Sequence, residues 1–196
     1  MDSLHSIALA AGLAWASGIR LYLVLFLAGA LAHLGYLDLP PGLEVLQHPL
    51  VMTAAGVMAV GEFFADKVPA FDSVWDAVHT FVRIPAGAFL AAAALGDADP
   101  AWVVAAAILG GMLASGAHLA KAGGRALINT SPEPFSNWTV SIGEDLLAPA
   151  ALLTAIKLPL LFLAALAIFV VCVIWLLPKL YRAVRRLIGR VASAPS

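Results

Sequence analysis

Charged residues are scarce in this chain. Asp, Glu, Lys and Arg make up 12% of its 196 residues, about half the share found in a soluble domain. A water-soluble fold needs a charged surface, so a soluble enzyme or a nucleic-acid binder is not expected. Cysteine is nearly absent: Cys172 stands alone inside an apolar run. One thiol forms neither an intrachain disulfide nor a cysteine metal cluster. The first six residues carry no Lys or Arg, so the basic region of a cleaved signal peptide is missing. The chain contains no Walker-type or Gly-x-Gly-x-x-Gly loop, no His-Glu-x-x-His, no Gly-x-Ser-x-Gly and no Cys-x-x-Cys. Gly123-Gly124-Arg125 is too short to be a phosphate loop. These absences supply no catalytic set and leave cofactor and metal unknown.

What is present is apolar. Hydrophobic residues make up 62% of the chain and the mean hydropathy is +0.96. At about 20 residues per span, the length allows five to seven transmembrane helices and no separate soluble domain. Apolar runs cover 6–34, 50–64, 82–95, 101–119, 141–156 and 158–177. The expected fold is an all-α polytopic bundle of about six spans. A single transmembrane domain would cover 1–178, followed by a tail over 179–196.

That tail holds Lys179, Arg182, Arg185, Arg186 and Arg190 among Leu180, Val184, Leu187 and Ile188. The pattern is that of a basic amphipathic helix on anionic lipid head groups. The bilayer is the expected partner and nucleic acid is not; a homo-oligomer is left open. Basic residues collect on the cytoplasmic side of a membrane protein. The tail puts the C-terminus in the cytoplasm, and six spans put the N-terminus there too. Segments 35–49 and 96–100 have no Lys or Arg and are expected outside. Lys157 dissents from this pattern. A bacterial-type inner membrane is the expected location.

The chain echoes itself. Ala16-Ser17-Gly18 matches Ala114-Ser115-Gly116, and Gly61-Glu62 matches Gly143-Glu144. With three spans per half, repeats over 1–96 and 97–178 would have inverted topology, as in many transporters.

Charges inside apolar runs are the candidate site residues. Arg20 lies deep in the first run, where an unmatched charge costs at least about 2.5–3.5 kcal/mol, so it must face protein or water. Its expected role is an anion ligand or the partner of a carboxylate. Glu62 and Asp66 are four apart and share one helical face, suited to a hard cation or a proton. Glu144 and Asp145 open a short run broken by Pro149. His118 occupies the position of Arg20 in the echo and is a proton-relay candidate. Two polar stretches read as loops. The first, 72–79, carries Asp76 and His79 at metal-ligand spacing. The second, 129–138, reads as a re-entrant segment or an ordinary loop, with Trp75 and Trp138 as interfacial anchors.

Ser17-Gly18-Ile19-Arg20-Leu21-Tyr22, the stretch 62–69 and the stretch 129–144 resemble an uncharacterised bacterial family of small polytopic membrane proteins. That resemblance implies an all-helical inner-membrane protein and supplies no activity. Glu62-Phe63-Phe64-Ala65-Asp66-Lys67 also resembles the Glu-x-Gly-Asp-Lys-Ser/Thr motif of a cation/proton exchanger family built on inverted repeats. It departs from that motif by one extra residue between the acids, by the missing Gly, and by Val68 in place of Ser/Thr. The expected function is a small transporter or channel, cation- or proton-coupled, whose polar pathway runs through Arg20, Glu62, Asp66, His118, Glu144 and Asp145. The alternatives are a lipid or phosphate head-group transporter, an intramembrane enzyme, and an assembly scaffold.

Overall fold

A computed structural model describes residues 3–96, 98–128 and 134–192. Its described residues form six α-helices and one 3₁₀ segment, with no strand. The helices are α1 (Ser3–His33), α2 (Pro49–Ala65), α3 (Pro69–Ala94), α4 (Pro100–Ile128), α5 (Pro134–Lys157) and α6 (Pro159–Ala192); the 3₁₀ segment is Pro41–Gln47. Each helix from α2 to α6 begins at a proline. Its ring presets the helical φ, and its missing N–H falls where a helix has no acceptor to offer. At the other end of α1, Gly35 adopts φ 77°. The Tyr36 amide then donates to the Leu31 carbonyl at 2.8 Å, closing the helix.

Segments within α1, α3, α4, α5 and α6 are long and apolar enough to cross a bilayer. The 3₁₀ segment and α2, bent by 70°, make a sixth candidate. This is a membrane-spanning all-helical protein of five to six spans. Contacts divide the chain into a unit ending at Leu163 and a second unit beginning at Ala164. The second unit is the remainder of α6, an apolar helix that continues through Pro178 instead of ending there. Lys179 places its ammonium 3.0 Å from the centre of the Trp175 ring. Side chains of the basic tail from Leu180 onward lie outside the described residues, as does segment 129–133.

In the first unit α1 is central, packing against α2, α3, α4 and α5. It is not one straight span as expected, because Arg20 leaves the helical region at φ −141°, ψ 74°. Ile7, before the break, shares a cavity with Pro41. Gly29, after it, lies so close to Leu46 that a Cβ would strike the Leu46 carbonyl. A straight helix would separate Ile7 from Gly29 by about 33 Å at 1.5 Å per residue. The 3₁₀ chain from Pro41 to Leu46 is only about 10 Å long. α1 therefore folds back at Arg20. Its two arms, 3–19 and 21–33, run toward the same end of this unit.

The first arm lies parallel to α4. Ser3, Ser6 and Ile7 share a cavity with Ala98 and Trp102, Gly18 abuts Ala114, and the Ile19 carbonyl accepts from Lys121. The two Ala-Ser-Gly segments thus meet directly, where a Cβ on Gly18 would collide with the Ala114 carbonyl. Small residues permit this backbone approach. Helices α3 and α4 approach in the same way through Gly87 and Gly110. A two-fold axis in the membrane plane would make the first arm and α4 antiparallel. The echoed segments are instead a parallel contact.

Candidate functional site

The fold-back sets Arg20 among the C-terminal end of α2, the first turns of α3, the last turns of α4 and the first turns of α5. Charges concentrate there. Five of the chain's eleven Lys and Arg, and six of its twelve Asp and Glu, join one network. Nine of these eleven side chains are buried: Arg20, Glu62, Asp66, Asp72, Asp76, Arg83, Lys121, Arg125 and Glu144. Lys67 and Asp145 are partly exposed. Charges persist in such surroundings only when paired and hydrogen-bonded.

Arg20 reaches Asp66 at 2.6 Å and Asp145 at 2.7 Å, with Glu144 at 4.0 Å. It also donates to the carbonyls of Glu62 (3.4 Å) and Ser141 (3.2 Å). Both terminal nitrogens are therefore engaged. Glu62 is held by Arg83, which also reaches Asp76 at 2.7 Å. Arg20 and Arg83 thus divide the two acids of α2's end between them, Asp66 to the first and Glu62 to the second. Arg125 grips Glu144 in a fork, Nε to Oε1 at 3.1 Å and Nη2 to Oε2 at 2.7 Å. It also donates to Asn137 (2.6 Å) and to the Asp66 carbonyl (2.9 Å). Lys121 joins the groups: its ammonium lies 2.7 Å from Asp66, 3.5 Å from Asp76 and 3.6 Å from Glu144. It also donates to the Ile19 carbonyl at 3.3 Å, next to the helix break. Lys67 completes the set, 3.3 Å from Asp145.

A hydrogen-bonded rim adjoins the network. Arginine only donates, so Nδ1 of His118 accepts from Arg83 at 3.1 Å and its Nε2–H donates to Thr80 at 2.6 Å. His118 is thereby held as one neutral tautomer. His79 donates from Nδ1 to the Trp75 carbonyl at 2.8 Å and accepts at Nε2 from Tyr22 at 3.1 Å. It stacks on Trp75, ring centres 4.1 Å apart. With both ring nitrogens used, His79 does not join Asp76 as a metal-ligand pair.

The segment 72–79 is not a loop. It is the start of α3, thirteen residues ahead of the apolar run that marked the span in the sequence. Its charges are paired inside the protein, so the hydropathy that suggested a loop measured a buried face. Likewise α5 begins at Pro134, and Asn137 and Trp138 are helical. Lys67, Asp72, Asp76, Arg83, Lys121, Arg125 and Asn137 complete the network, and none of them is in the pathway expected from the sequence. Their signal was helical spacing: Asp72, Asp76, His79 and Arg83 recur every three or four residues, as do His118, Lys121 and Arg125. All six expected pathway residues lie in or beside this network.

Among the described residues six carboxylates face five cations, which leaves one negative charge unmatched. Geometry assigns it to Asp72. Among the described residues neither of its oxygens has a hydrogen-bond partner, and the nearest cation, Arg125, is 3.9 Å away. Burial pushes the Asp72 carboxyl up to about 6, with Asp66 and Asp76 adding to the rise and Arg125 and Lys121 opposing it. Asp66 moves the other way. Burial raises it, but Lys121, Arg20 and Arg125 together hold it below the ordinary carboxylate range.

Residues 7–179 match the family model DUF4126, a domain of unknown function. The chain belongs to that family. The match encloses the whole charge network. No curated protein and no solved structure matches the chain.

Proposed function

We propose that this DUF4126 protein is a small inner-membrane transporter whose buried charge network couples solute movement to a cation or proton. The observation that carries the reading is the helix break at Arg20 inside that network. A broken helix in a membrane protein is tolerated where it is buried in protein or lines a ligand pathway, and transporters build their sites from such breaks. The network is also excess in carboxylate, which favours a cationic coupling species. Arg20, Glu62, Asp66, His118, Glu144 and Asp145 would line the pathway. A lipid-phosphate carrier would need Arg20 to offer the fork of its terminal nitrogens, yet Asp66 and Asp145 already occupy both, and only Nε is without a partner among the described residues. The transmembrane domain would run over 1–178, with the tail 179–196 on anionic head groups.

In this proposal the charged end faces the cytoplasm, where Lys67, Lys121 and Arg125 collect, and 35–49 and 96–100 face outward. Folding α1 back returns the N-terminus to the outer side. Only the C-terminus is then cytoplasmic, in place of both termini.

The test is flux in proteoliposomes under an imposed membrane potential. Protons, alkali cations and a panel of amino acids, carboxylates and phosphate esters would be offered in turn. Protein-dependent uptake of at least one species, abolished by Glu144→Gln, is expected. Folded, monodisperse protein that moves none of them would refute the reading.

A further inference from the structure

We infer that Asp66, Asp72 and Asp76 form a binding site for one small monovalent cation of sodium size. Each of the three buried carboxylates offers an oxygen, and the three oxygens lie within 4.8 Å of one another. Three oxygens that close to one another can share one hard cation, with bonds of about 2.3–2.6 Å.

An acidic cluster alone is not a site, but here two further observations point to a ligand. Asp72 is fully buried, yet both its oxygens and Oδ1 of Asp66 have no hydrogen-bond partner among the described residues. Buried carboxylate oxygens need a partner. The second observation is charge. Arg20, Lys121 and Arg125 already engage Oδ2 of Asp66, and Arg83 and Lys121 engage Oδ1 of Asp76. These cations leave one unmatched negative charge in the network. A monovalent ion neutralises it, whereas a divalent ion would leave a net positive charge beside three guanidinium groups and an ammonium. The site sits at the junction of α2 and α3, against Arg125 and Lys121 of α4, so an ion held there ties these elements together.

The inference deepens the proposed coupling by naming the ion, and it rests on that reading only for what binding is used for. Its test is independent of transport. The purified full chain would be titrated with radiolabelled sodium. Its melting midpoint would be followed in sodium, potassium, calcium or magnesium chloride against choline chloride at constant ionic strength. We expect saturable sodium binding near one ion per chain and a midpoint that rises with sodium and not with choline. Asp72→Asn should fold, because it removes the unmatched charge, and should lose both effects. Glu44→Gln, on the exposed 3₁₀ segment, should keep them. Absence of sodium binding, binding that survives Asp72→Asn, or stabilisation by divalent ions alone would each overturn the inference. Failure here with flux intact would leave the transporter reading standing; binding without flux would do the reverse.

Discussion

Replacing Arg20 by Met tests whether the charge network holds the fold. The substitution keeps an unbranched apolar side chain but removes the cation shared by Asp66 and Asp145. Breaking a buried ion pair costs roughly 3–5 kcal/mol, because the remaining charge stays buried without its partner. Here two acids are orphaned, but neither completely. Asp66 keeps Lys121 at 2.7 Å. Asp145 keeps Lys67 at 3.3 Å and is 17% exposed, so water softens its loss. The hydrogen bonds to the Glu62 and Ser141 carbonyls also go. The lower end of the range follows, about 3 kcal/mol. Arg20→Lys should recover only part of it, since one ammonium cannot serve both carboxylates as the planar fork does. Combining Arg20→Met with Asp145→Asn should cost less than the sum of the two single changes, since they share one interaction. The assay is reversible unfolding in mixed detergent micelles, followed by tryptophan fluorescence. A loss below about 1 kcal/mol for Arg20→Met, the range of an ordinary substitution, would refute the argument.

Other outcomes follow from packing, titration and topology. Gly18→Ala should destabilise by about 1–3 kcal/mol through overpacking, because its Cβ would meet the Ala114 backbone; Gly123→Ala, with open space around it, should not. Asp72 has a folded pKa of about 6, above its ordinary value of 3.8. The native state therefore holds this proton more tightly, and the contribution, complete below the ordinary value, is lost as pH rises through the folded one. Wild type minus Asp72→Asn should show that fall, and a flat difference would exclude it. Reporter fusions should find the N-terminus on the outer side and Lys67 on the inner side, and a cytoplasmic N-terminus would contradict the folded-back arrangement.

The membrane class and the all-helical fold follow from the sequence by itself. Lipid selects for long apolar helices, whose backbone groups are satisfied within each segment. Arg20, Glu62, Asp66, Glu144 and Asp145 were legible for the same reason, since a charge in an apolar run must find a partner. The partners themselves were not. Asp72, Asp76 and Arg83 lie in a stretch polar enough to pass for a loop, and hydropathy does not distinguish solvated charges from charges neutralised across helices. The Ala-Ser-Gly echo marked a real feature but not its geometry. The same small residues serve a repeat or a close contact, and only the parallel packing of the first arm of α1 on α4 decides between them. Tertiary structure also decided that α1 folds back at Arg20. Its local sequence is helical on both sides, and the break is held from a distance by Asp66, Asp145 and Lys121, residues 46, 125 and 101 positions away.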